Sequence, residues 1–141
     1  MKPNHIIAIL FIMLLGCATS KEPDLVLQDF ETVVFEDGLT LEEAIFVAKK
    51  ELRDKTHKED YLIDEPKVVT QFENVPHHDD FWFVSFQEAE KSVVPDVYMV
   101  AIQKEDGKIV FSRAYVPENE WVLEAFFLKL YEKQKNIDPR L

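Results

Sequence analysis

Sulfur and glycine are scarce in this 141-residue chain. Cys17 is its one cysteine, so no disulfide forms within the chain. With Cys17 otherwise engaged, no thiolate metal site and no Cys nucleophile remain. Glycine occurs only at positions 16, 38 and 107, too few for the glycine-rich loop that cradles a phosphate. Basic residues are outnumbered as well, with 16 Lys and Arg against 27 Asp and Glu. All 27 acids and 15 of the 16 bases lie from Cys17 onward, a net charge of −12 for that part. Such a surface repels phosphate backbones, which argues against nucleic acid as a partner. An anionic membrane surface suits the domain no better. What the chain does have is apolar content of 47% and sixteen aromatics after residue 17, too rich for disorder. Its length suits one core rather than two.

The apolar residues begin with an unbroken run of ten, Ile6 to Leu15, after a short segment carrying Lys2. As a helix this run measures about 15 Å, half of a bilayer core, which fits a signal-peptide hydrophobic region better than a span. Leu14-Leu15-Gly16-Cys17 follows. It resembles the lipobox of bacterial lipoproteins, with Leu15 departing from the small or medium residue usual at that position. The resemblance implies cleavage between Gly16 and Cys17, a diacylglyceryl group on the Cys17 thiol, and acylation of the new amine by a palmitate-type chain. Buried methylenes contribute ~0.8 kcal/mol each, so two or three chains anchor firmly where one does not. Residue 18 is Ala, not Asp, which resembles the default sorting to the outer membrane. The expected location is therefore the bacterial outer membrane, lipid-anchored and facing the periplasm. The competing readings are an ordinary cleaved signal with a chance cysteine and an N-terminal membrane anchor.

The remaining organisation follows from composition and period. Residues 1–16 read as signal peptide, 17–24 as a tether containing Pro23, 25–136 as one domain and 137–141 as a frayed tail. Leu25 to Phe35 has no firm period and reads as an extended lead-in or edge strand. Thr40-Leu41-Glu42-Glu43 has the capping-box form. Leu41, Ala44, Ile45, Ala48 and Leu52 then recur at the spacing of one helical face, predicting a helix over 40–54. Thr56 to Glu65 is polar and ends at Pro66, a loop. Period two follows in Lys67–Glu73, Phe81–Gln87, Pro95–Gln103 and Lys108–Tyr115, all strands. Residues 104–107 make a hairpin turn, and Pro117 opens a last helix with Leu123, Phe126, Phe127, Leu130 and Tyr131 as its stripe. The expected fold class is α+β: a single antiparallel sheet of about four strands in a meander, with an N-terminal and a C-terminal helix packed on one face. Strand 81–86 is apolar on both faces. It is either a central strand covered on both sides or a face offered to a partner.

From Thr40 to Tyr115 the chain resembles two kinds of small α+β domain of secreted bacterial proteins. These are the PepSY-like domains and the immunity proteins of the nuclear transport factor two-like fold. The resemblance rests on Glu42-Glu43-Ala44-Ile45 with Ala48, on the aromatic strand Phe81-Trp82-Phe83-Val84-Ser85-Phe86, and on Asp106-Gly107-Lys108 followed by Ile109-Val110. It implies protein binding or inhibition, including an immunity-like role, and supplies no functional residues to transfer.

The candidate constellations are few. His77-His78-Asp79-Asp80 has metal-ligand residue types, but adjacent side chains diverge, and a zinc site needs three or four that converge. It reads as a solvated loop between strands, and His57 as an exposed residue of a charged loop. Ser20, Ser85, Ser92 and Ser112 have no nucleophile-elbow context. With 27 acids, chance carboxylate pairs are inevitable and identify no glycosidase-like site. Trp82 shares a strand face with Val84 and Phe86 and reads as core, whereas Trp121 at the start of the last helix reads as half exposed. The expectation is a non-catalytic, cell-envelope binding protein without cofactor or metal. It is held to the membrane at Cys17 and engages a protein partner, with the sheet's open face or an edge strand as the binding surface. Its acidic surface would steer a basic partner. The alternative is a cell-envelope enzyme or small-ligand carrier using a cleft between the sheet and the C-terminal helix.

Overall fold

The computed structural model describes residues 24–137 apart from 58, 71, 73 and 91. The signal segment, the Gly16–Cys17 junction and the tether up to residue 23 lie outside the described residues. The elements in chain order are α1 (Leu25–Glu31), α2 (Leu41–Lys55), β1 (Lys67–Val69), β2 (Phe81–Gln87), β3 (Val97–Gln103), β4 (Ile109–Tyr115) and α3 (Trp121–Ile137). The strands form one antiparallel sheet in the order β1-β2-β3-β4, a meander. The α+β class, the single four-stranded sheet and the helices at either end of the chain all match expectation.

The placement of the helices does not. They cover opposite faces of the sheet. On one side Ala44, Val47, Ala48 and Leu52 of α2 pack with Val84, Phe86, Tyr98, Val100 and Ile102. On the other, Leu123 and Phe127 of α3 pack with Phe81, Phe83, Met99, Ala101 and Phe111. The reason lies in β2 and β3, whose alternate residues are buried in both directions. A strand that is apolar on both faces needs two covers. Over β2 and β3 the open sheet face expected as a binding surface is therefore covered, and β2 is a central strand.

α2 starts as its sequence requires. The Thr40 amide donates to Glu43 Oε2 at 2.9 Å, and the Glu43 amide donates to Thr40 Oγ1 at 3.3 Å. Glu43 also accepts from the Val34 amide at 3.0 Å, which fastens the preceding linker to the helix. That bond, followed by those from Thr40, holds the Glu43 carboxyl below its usual range. The buried stripe is rotated from the one expected. Val47 is buried, Ile45 is half-buried, and Leu41 is 40% exposed. Ala44 and Ala48, wholly buried, let the helix axis approach the sheet.

The lead-in at 25–35 is also corrected. Leu25–Glu31 is helical, with the Asp24 carboxylate accepting from the Leu27 amide at 3.3 Å. Phe30 and Val33 pack on the α2 side of the core, and Lys50 stands 5.1 Å from the Phe30 ring centroid. Regular pairing in β1 stops at Val69, short of Glu73, as the chain turns to bury Phe72 and Val75 beneath α3. β3 begins at Val97 rather than Pro95, since proline has no amide for the ladder. Pro117 opens a short 3-10 turn, Pro117–Asn119, and α3 follows at Trp121. Val110 is an extra residue in β4: Ala101 pairs Phe111, while Ile102 pairs Ile109. This bulge turns Ile109 toward α2 and both Val110 and Phe111 toward α3.

Candidate functional site

Because β2 is antiparallel to β3 and α2 runs beside both, the molecule has two distinct ends. At one end the chain after α2 returns along β2. Tyr61 bridges Glu88, the Leu62 amide donates to the Gln87 carbonyl at 2.9 Å, and the Ala89 amide donates to the Asp60 carbonyl at 2.8 Å. The 88–96 connection between β2 and β3 is pinned by the Tyr61 hydroxyl, which donates to Asp96 Oδ1 at 3.0 Å. The Tyr61 ring meets Tyr98 edge-on at 5.5 Å. Burial, and then the Asp96 carboxylate, push the Tyr61 phenol above its usual value. Within the connection Ser92 Oγ lies 2.7 Å from Glu88 Oε2 and 2.8 Å from the Val94 carbonyl. The tip so formed leaves Val93 fully exposed and Val94 57% exposed.

Other residues of the same connection line a cleft of about 450 Å³. Half-buried Leu62 and Val97 and exposed Ala89, Pro95 and Pro117 give it apolar walls, interspersed with Gln87, Ser92 and the carboxylates of Glu88, Glu90 and Asp96. A second hollow of about 360 Å³ adjoins it, lined by Tyr61 and by Glu59, Asp60, Glu88 and Glu90. In sequence, residues 59–65 contribute four carboxylates and residues 88–96 three, against one lysine at 91. This end thus combines exposed apolar surface with concentrated negative charge.

The opposite end holds the histidine cluster. His77 sits in the left-handed region, φ 54°, with its ring stacked 4.7 Å from Tyr131 of α3. His77 Nδ1 is 3.7 Å from Asp80, and His78 Nε2 is 3.3 Å from Asp79. An open groove of about 460 Å³ runs between His77, Asp79 and Asp80, Phe81 and Lys104, and the α3 residues Tyr131 and Gln134. His57 is exposed at the far end of α2, so the fold does not bring it to the histidine pair. Among the described residues, no three His, Cys, Asp or Glu side chains are grouped as metal ligands.

Trp82, Ser85 and Ser112 have structural partners, and Ser20 lies outside the described residues. Trp82 lies against the α2 side of the core and its indole N–H donates to the Leu39 carbonyl at 2.9 Å. Trp121 is 64% exposed. Ser85 Oγ donates to the Lys67 carbonyl at 3.4 Å, and Ser112 Oγ pairs with the Tyr98 hydroxyl at 2.7 Å. Among the described residues, no helix is long and apolar enough to cross a membrane. Sequence reading missed the acid-rimmed cleft. Its visible signal was the Val93-Val94-Pro95 triplet between Glu88-Ala89-Glu90 and Asp96, an apolar tip in an acidic connection.

No family model, curated protein or solved structure matches this chain.

Proposed function

We propose that this chain is a lipid-anchored binding protein of the bacterial cell envelope. It would be held through Cys17 at the outer membrane, facing the periplasm, and engage a protein partner without catalysing a reaction. One observation carries the binding reading: a cleft lined by Leu62, Val97 and Pro117 together with the carboxylates of Glu88, Glu90 and Asp96 lies beside a connection whose Val93 and Val94 are exposed. Solvent-facing apolar surface bounded by charge is the composition of a recognition site. The anchor reading rests on Leu14-Leu15-Gly16-Cys17 behind a ten-residue apolar run. The inhibitory or immunity-like role rests on the resemblance across Thr40 to Tyr115. Metabolic labelling with an alkynyl palmitate tests the anchor. The native sequence should be labelled and sediment with membranes, whereas Cys17→Ser should be uncut and unlabelled. A soluble product from the native sequence, or normal labelling of Cys17→Ser, would overturn it.

The groove between Phe81, Lys104 and Tyr131 favours a second reading, a small-ligand carrier or enzyme with its cleft between the sheet and α3. A fragment screen by NMR separates the two. Shifts confined to His77, Lys104 and Tyr131 support the second reading, and shifts at Ala89 and Val97 the first.

A further inference from the structure

The acid-rimmed cleft lies at the end of the molecule from which the tether leaves. Arg53, on the last turn of α2, holds Asp24 Oδ2 at 2.7 Å. Four residues beyond Arg53 the chain enters the segment that pairs with Ala89. The start of the described domain and the cleft therefore share one end. Cys17 precedes Asp24 by seven residues, so a fully extended tether reaches about 25 Å. An anchor at Cys17 keeps this end near the bilayer.

We infer that the cleft docks a basic, extended segment of a partner protein, with an apolar side chain seated against Leu62 and Val97, close to the membrane surface. Charge selects this occupant. The carboxylates of Glu88, Glu90 and Asp96 in the cleft, with Glu59 and Asp60 in the hollow beside it, attract Lys and Arg and raise the rate of encounter. A second copy would bring the same carboxylates against these. An anionic lipid surface would repel them, although the exposed Val93 and Val94 are of a kind that lipid accepts. Apolar seating on Leu62 and Val97 supplies affinity that the rim charges alone do not.

The inference rests on the lipid-anchored binding reading for where the cleft faces, and its test separates the two. Lipidated protein in phosphatidylcholine nanodiscs is titrated with an acetylated, amidated octapeptide of alternating Lys and Leu. Empty discs and the matching Gln–Leu peptide serve as blanks. The Lys–Leu peptide should bind at least tenfold more tightly than the Gln–Leu peptide, and less tightly as salt is raised. Glu88→Gln/Glu90→Gln should weaken binding about tenfold, and Ala89→Arg should block it. Glu36→Gln/Asp37→Asn, at the other end of the molecule, should leave it unchanged. Thermal midpoints of all variants establish that they fold. Equal binding of both peptides, or equal loss in the two acid-neutralised variants, would overturn the inference. So would flotation, with phosphatidylglycerol vesicles, of unlipidated protein made without residues 1–17 that is lost in Val93→Ser/Val94→Ser, since the tip would then belong to lipid. Failure of the peptide titration leaves the palmitate result standing. Failure of palmitate labelling removes only the membrane-proximal placement, and the peptide result still decides the cleft.

Discussion

The indole N–H of Trp82 donates to the backbone carbonyl of Leu39 at 2.9 Å, tying β2 to the residue that precedes the α2 cap. The Leu39 amide donates in turn to the Lys104 carbonyl at 2.7 Å. The Lys104 ammonium closes the set, 4.2 Å from the Trp82 ring centroid. Trp82→Phe keeps a ring on the core and removes the donor. It should cost ~1 kcal/mol, read as a lower urea midpoint by circular dichroism. An unchanged midpoint would show that the bond contributes nothing to the fold.

Gly107 should resist substitution more than Gly38. Both have positive φ, 70° and 85°, which costs an L side chain about 1–2 kcal/mol. At Gly107 a Cβ would also overlap the Phe35 ring and approach Leu39 Cδ1 to 2.8 Å. At Gly38 its nearest neighbour is the Lys104 carbonyl, at 3.2 Å. Gly107→Ala should therefore lower the thermal midpoint several degrees more than Gly38→Ala. The reverse ranking would mean that the 32–39 linker does not rest on the β3–β4 turn.

The buried arc of α2 predicts a graded series. Leu52→Ala removes a side chain that is 2% exposed and should cost ~2–5 kcal/mol. Leu41→Ala, at an exposed position, should stay within about 0.5 kcal/mol. Ile45→Ala should fall between them. Denaturant midpoints check the order, and equal losses at positions 41 and 52 would place the wrong face on the sheet.

Stability should fall at both extremes of pH. The Val34 and Thr40 hydrogen bonds hold Glu43 below its usual 4.5, and the Lys50 hydrogen bond holds Asp54 below its usual 3.8. Their contribution is present above those values and is lost as pH falls through the folded-state pKa. Burial raises the phenols of Tyr61, Tyr98 and Tyr115 above their usual 10.0. Their contribution is complete below pH 10 and is lost as pH rises beyond it, because the unfolded chain ionises first. Glu43→Gln should flatten the acid limb of a midpoint-against-pH curve, and Tyr61→Phe the alkaline limb. Unchanged limbs in these variants would assign the pH dependence to other groups.

Much of this architecture was legible because its causes are local. The Thr40–Glu43 capping box, the period-two runs of β2 and β3, and the turn before Lys108 depend on residues a few positions apart. The α2 cap and β2 accordingly stand where the pattern places them, and β3 departs from it only at its start, where Pro95 and Asp96 fall outside the ladder. The start of α1 was a weaker local signal. Its Asp24 cap and its Val26, Phe30 and Val33 spacing were masked by neighbouring apolar residues that break the period.

The sequence by itself determined α2, the four strands, the last helix and their order, and showed that strand 81–86 is apolar on both faces without deciding what covers it. Tertiary structure decided which cover lies on which face. Both α2 and α3 carry apolar stripes, and a stripe does not state its partner; only the sheet, presenting Val84 one way and Phe83 the other, divides them. The acid-rimmed cleft was decided in the same way. Leu62, Ala89, Val97 and Pro117 are distant in the chain and meet only because antiparallel pairing returns each connection to the same end. Near-neighbour chemistry sets an element's conformation, but a concave site needs chain segments brought together from afar, and long-range pairing alone does that.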